Sequence, residues 1–155
     1  MTHPDHQPEG QGKPIVLIVD DVPDNLSAIS EMIGNLGVDV RVANSGAVAI
    51  RYARLLPHPD LILLDVMMPG MDGHEVLRVL RADAETRDIP VIFVTALDDP
   101  DNEERGIQEG AVDYITKPIN PAVLGIRVRA QLELKRARDI VAGQKAWLEQ
   151  EVARR

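Results

Sequence analysis

The chain has 155 residues, 45% of them hydrophobic and 27% charged, the composition of one globular domain of ordinary size with some chain to spare. Its formal net charge of -8 is unevenly spread, with nine basic against twenty-one acidic residues in 1–120 and eight basic against four acidic in 121–155. The acidic body argues against nucleic acid as a direct ligand, the absence of Cys rules out disulfide and thiolate chemistry and suits the cytoplasm, and no run approaches the ~18 apolar residues of a membrane span.

Residues 1–13 (MTHPDHQPEGQGK) hold no apolar stretch and read as a disordered lead. From Ile15 onward, short runs rich in β-branched residues alternate with longer segments of helical period, separated by Gly, Pro, Asp or Asn. The predicted strands are Ile15–Asp20, Val38–Ala43, Leu61–Asp65, Val91–Thr95 and Val112–Thr116. The first, third and fourth are apolar almost throughout, as central parallel strands must be, whereas Val38–Ala43 alternates and belongs at an edge. Predicted helices cover 24–36, 46–56, 72–82, 99–109 and 120 onward. Five strands and five helices joined right-handedly make a doubly wound (βα)5 α/β fold with a parallel sheet in the order 2-1-3-4-5.

After Pro121 the chain has no further Pro and only two Gly, and apolar residues recur helically through Leu124, Val128, Leu134, Val141, Leu148 and Val152. One helix of this length exceeds what the sheet can cover. The domain is expected over 14–134, and 135–155 as a helical linker, able to pair as a coiled coil, that leads to an output domain absent from the chain. The basic residues of this segment read as a solvated helix face.

Ligands of an open parallel sheet bind beyond the carboxyl ends of its strands. The strand ends carry Asp20 and Asp21 after the first strand, Asp65 after the third, Thr95 and Ala96 after the fourth and Lys117 after the fifth. Crowded carboxylates repel one another unless a hard cation lies between them, and Mg²⁺ (or Mn²⁺) suits a site with few protein ligands. With Lys117 opposite, the chemistry favoured is phosphoryl transfer. Asp65 is the candidate nucleophile, Asp20 and Asp21 the metal acids, and Thr95 and Lys117 the partners of the phosphoryl oxygens. Taken singly, Asp21 or Asp24 could cap the first helix, Asp65 could be a turn residue and Thr95 a buried hydroxyl. Their convergence on one rim favours the functional reading. Asp72, Asp98 and Asp99 read as helix-start carboxylates, and His3, His6, His58 and His74, which lack metal-ligand spacing, as solvated side chains.

The set VDD (19–21), LLDVMMPGMDG (63–73), VTA (94–96) and DYITKP (113–118) resembles the receiver domain of two-component response regulators over about residues 14–136. The resemblance implies a flavodoxin-like fold, with Asp65 as phosphoacceptor and Asp20, Asp21, Asp65 and the Met67 backbone carbonyl as metal ligands. It further implies Thr95 as switch hydroxyl, Tyr114 as switch aromatic, Lys117 as the phosphate-contacting base and a cis Lys117-Pro118 bond. The donor would be a histidine kinase or phosphotransfer protein. The chain itself would catalyse only its own phosphorylation and dephosphorylation. Apart from the resemblance, the recurrence of Leu134, Val141 and Leu148 at intervals of seven points to a homodimer paired through this helix, the alternative being a single exposed helix. A metal-dependent phosphatase is the competing reading, but Met67 and Met68 after Asp65, and Leu97 after Ala96, supply neither acid nor base. The segment ELKRARDIVAGQKAWLEQEVARR looks like linkers that precede HD-GYP cyclic-di-GMP phosphodiesterase domains, and less closely GGDEF cyclase linkers. Trp147 is then either a packing residue of a helix pair or a contact for another domain.

Overall fold

The computed structural model describes residues 12–96 and 100–154. The expectations for the lead before residue 12, His3 and His6 among them, and those for Leu97, Asp98 and Asp99, lie outside these residues. Ten elements alternate: β1 (Ile15–Val19), α1 (Pro23–Ile33), β2 (Asp39–Ala43), α2 (Gly46–Ala53), β3 (Leu61–Asp65), α3 (Gly73–Ala82), β4 (Val91–Ala96), α4 (Pro100–Glu109), β5 (Asp113–Lys117) and α5 (Pro121–Arg154). All strand pairs are parallel and the order is β2-β1-β3-β4-β5, as the pattern of apolar runs predicts. β2 is an edge strand, which is why it could keep its alternation.

Two helices end earlier than expected. α1 stops at Ile33 rather than at 36, because Gly34 follows and the chain turns through Gly37 at φ 75°. α2 stops at Ala53 rather than at 56, short of Pro57, whose ring excludes helical geometry from the residue before it. Asp72 does what was expected of it, capping α3 by accepting from the Glu75 N–H at 2.9 Å, and Ser45 caps α2 in the same manner. Neither Asp21 nor Asp24 caps α1, whose N-cap is Val22.

The sheet separates two aliphatic layers. On one side Leu17, Val19, Ile62, Leu64, Val91 and Phe93 meet α2 and α3; on the other Val16, Ile18, Leu61, Leu63 and Ile92 meet α1 and the first half of α5. Each large side chain taken wholly out of water contributes roughly 1.5–3 kcal/mol before entropy is counted. This core holds the strand ends rigid. α5 contributes Leu124 and Val128, both fully buried, and beyond Lys135 every residue through Gln150 whose side chain is described is exposed. Among the described residues no helix is long and apolar enough to cross a membrane.

Two histidines depart from expectation. His74 is not solvated: it is 1% exposed, its ring packs edge-on against Phe93 at 5.1 Å between centroids, and its Nδ1 lies 3.2 Å from Glu109 Oε2. The reason is helical phase, since α3 begins at Gly73 and residues 73, 74, 76, 77 and 80 form its buried stripe. His58, between Pro57 and Pro59, is half-buried rather than open to solvent.

Candidate functional site at the carboxyl rim of the sheet

The residues singled out by sequence converge at the carboxyl ends of β1, β3, β4 and β5. Asp65 is the last residue of β3 and is buried, 4% exposed. The Met67 N–H donates to its Oδ1 at 3.2 Å, a short loop that folds back on the acid. Gly73 closes this loop. Its N–H donates to the Val66 carbonyl at 2.9 Å, and a Cβ there would stand 2.6 Å from the Asp65 carbonyl oxygen, so only glycine lets the first turn of α3 sit over the backbone of Asp65. Gly70, at φ 75°, makes the turn before it.

Asp20 and Asp21 follow β1. Asp20 is 1% exposed and Asp21 half-buried. One carboxylate oxygen from each of Asp20, Asp21 and Asp65 lies within 4.8 Å of the others. Lys117, the last residue of β5, places its Nζ 3.5 Å from Asp20 Oδ2 and 3.5 Å from Asp65 Oδ1. Three negative charges thus face one positive charge. Burial pushes the Asp65 carboxyl up to about 6, Lys117 opposes the rise and Asp20 adds to it.

A hard divalent cation fits this donor set. Octahedral Mg²⁺ holds oxygens at about 2.1 Å, hence about 3 to 4 Å from one another, so three oxygens within 4.8 Å need little movement to share one ion. Its charge would offset the repulsion that Lys117 leaves.

Thr95 lies near the end of β4, 1% exposed, and its hydroxyl reaches the Ala96 carbonyl at 3.4 Å, too long for a strong bond. Tyr114 pairs with Phe93 across β4 and β5 and packs, half-buried, against the layer that holds α3. Thr95 and Tyr114 are thus not at one point: the first is on the rim, the second further down the sheet. The Lys117-Pro118 bond is cis, as the resemblance implies, and so is Leu56-Pro57, which the sequence reading did not anticipate. It also missed Asn25, whose side-chain amide donates to Asp20 Oδ2 at 3.1 Å. Its only signal was an amide five residues after a strand-end acid.

A family model of the response regulator receiver domain matches residues 16–129. The chain belongs to that family. This receiver is 41% identical over 140 residues to a Vibrio cholerae protein named as a probable cyclic di-GMP phosphodiesterase, a match covering 90% of this chain and 31% of that protein. It is 42% identical over 120 residues to the response regulator PleD of Caulobacter vibrioides, covering 77% of this chain and 26% of PleD. The chain therefore spans a quarter to a third of the length of these curated relatives. Among solved structures, the receiver domain of a signal transduction histidine kinase from Syntrophus aciditrophicus is similar at a TM-score of 0.70 and 37% identity, over 77% of this chain and 90% of that one. The chemotaxis protein CheY4 of Vibrio cholerae matches at a TM-score of 0.71 and 28% identity, over 77% and 98%. Two-component signalling is the setting of the family.

Proposed function

We propose that this receiver accepts a phosphoryl group on Asp65 from the phosphohistidine of a histidine kinase or phosphotransfer protein, and so switches an output domain. The observation that supports it most is the meeting of the Asp20, Asp21 and Asp65 carboxylates, all within 4.8 Å, with the Lys117 ammonium. An Asp65 oxygen attacks phosphorus, the P–N bond to the donor imidazole breaks, and the nitrogen keeps the bonding pair. Asp20, Asp21, Asp65 and the Met67 carbonyl would hold Mg²⁺ or Mn²⁺, which when bound supplies charge neutralisation for the carboxylates and the incoming phosphoryl oxygens. Lys117 leaves Asp65 Oδ1 for a phosphoryl oxygen, and the Thr95 hydroxyl, weakly engaged at 3.4 Å, donates to another. That pull on Thr95 empties space at the end of β4, into which Tyr114 can turn. Hydrolysis of the acyl phosphate resets the switch.

Incubation with acetyl phosphate and Mg²⁺ is expected to add one base-labile phosphoryl group to the intact mass, and Asp65→Asn to abolish it. Equal labelling of the variant would sink the assignment.

The output proposed is a cyclic-di-GMP phosphodiesterase in the parent protein. The match to the Vibrio cholerae relative covers 90% of the chain, enough that it must run past the receiver family's last matched residue, 129, into the far part of α5. Likeness in a linker supports likeness in what the linker joins. Phosphodiesterase assay of the whole gene product, with and without phosphodonor, tests this part.

A further inference from the structure

Asp20 is almost without solvent contact, 1% exposed, so its carboxylate is held by the protein. Its Oδ1 accepts the Val22 N–H at 2.9 Å, and its Oδ2 accepts the Asn25 side-chain amide at 3.1 Å. The first turn of α1 explains the arrangement. Val22 occupies the N-cap without a side chain that could cap, and the acid two residues upstream gathers the donors instead. One donor on each oxygen fixes the rotation of the carboxylate about its Cβ–Cγ bond.

A charged donor competes with the amide for the same oxygen. Lys117 Nζ lies 3.5 Å from Asp20 Oδ2, beyond the ~2.7–2.9 Å of a formed charge-assisted bond. Loss of the amide would free Asp20 to turn toward Lys117 and close that gap. The closed pair would remove one acid from the cation and one ammonium from the phosphoryl group.

We propose that Asn25 is a positioning residue whose amide holds Asp20 in its cation-binding orientation and keeps it from closing on Lys117. Asn25 has this part only if the three carboxylates hold a divalent cation, as proposed above. The test is Mg²⁺ titrated calorimetrically into the full chain, beside thermal melts in EDTA, for wild type, Asn25→Ala, Asn25→Gln and Asp21→Ala. Ala is a good helix former, so α1 tolerates it. Asn25→Ala is expected to weaken Mg²⁺ binding roughly tenfold, the range typical of a group that orients a ligand, while its melting point in EDTA does not fall. Asn25→Gln, which keeps the amide, should recover most of the loss. Unchanged affinity in Asn25→Ala overturns the proposal. So does an EDTA melting point that falls in step with affinity, which would mark a merely structural role. Asp21→Ala separates this failure from failure of the underlying reading. If Asp21→Ala abolishes binding while Asn25→Ala does nothing, the fault lies with Asn25 alone; if Asp21→Ala leaves binding intact, the cation site itself fails and Asn25 with it.

Discussion

At the scale of single residues, Asp65 occupies a place that favours its proton. Burial is the chief cause of its rise from 3.8 to about 6, and Lys117 only partly opposes it. The folded state therefore holds this proton more tightly than the unfolded chain does. Stability from this source is complete below the unfolded value of 3.8 and is lost as pH rises through about 6. Asp65→Asn removes the penalty, and is expected to stabilise the metal-free protein by roughly 2 kcal/mol at neutral pH and hardly at all near pH 4. Urea unfolding in EDTA at the two pH values checks this, and a variant less stable than wild type at both would contradict it. Excess Mg²⁺ should narrow or reverse the difference, because only the folded wild type gains the full binding energy. These residues were legible in sequence because each acid, hydroxyl or ammonium ends an apolar run, and strand ends of a parallel sheet share a rim. Their supports were not. The bond from Asn25 to Asp20 depends on the path of the loop between them, and the need for glycine at position 73 exists only once α3 is laid across Asp65.

At the scale of elements, the composition of each run marked β1, β3 and β4 as central and β2 as an edge, and the doubly wound template for alternating strands and helices supplied the rest of the order β2-β1-β3-β4-β5. Contacts between helices are not written so locally. His74 in α3, Phe93 in β4 and Glu109 in α4 form one joint, and no single segment's periodicity announces it. Arg105 ties the same carboxylate from one turn earlier on α4, at 2.8 Å. The joint relies on Gly106. A Cβ at that position would overlap the edge of the Phe93 ring, and Phe93 is itself 1% exposed with no room to retreat. Gly106→Ala thus sets a gain in helix propensity of about 1 kcal/mol against overpacking that costs about 1–3 kcal/mol. We expect the clash to win, lowering the melting temperature by several degrees and raising amide exchange in α4 and in the neighbouring strand β5. If Gly106→Ala proves more stable than wild type, α4 does not rest on Phe93 in solution.

At the scale of the whole molecule, the chain is an acidic sheet domain with a basic helix running out of it. α5 spans Pro121–Arg154 without interruption, about 50 Å at 1.5 Å per residue. Among the described residues its last ion pair with the domain is made by Lys135, whose Nζ reaches Asp60 Oδ1 at 3.1 Å while Asp60 Oδ2 accepts the Ile15 N–H at 2.7 Å. The helix is therefore fastened at the foot of β1 and β3, the end of the sheet opposite Asp65. From there outward Leu134, Val141 and Leu148 recur every seventh residue, each more than half exposed, the repeat that keeps one seam toward a partner helix. We predict that residues from about 134 to 152 pair with those of a second copy in parallel, and that phosphorylation reaches the output through this pair. The intervening seam positions, Ala137 and Gln144, are small or polar, so the pair should be weak, and Ile140 and Trp147 beside the seam would be partly covered by it. Weakness suits the purpose, because a phosphoryl group can bias only states separated by a few kcal/mol. The competing outcome is a single exposed helix that needs the output domain to cover it. Sedimentation at micromolar concentration, with and without beryllofluoride as phosphoryl mimic, distinguishes them: dimer formation that strengthens with the mimic and is lost in Leu148→Asp supports pairing. A monomer in both states, indifferent to Leu148→Asp, would refute it.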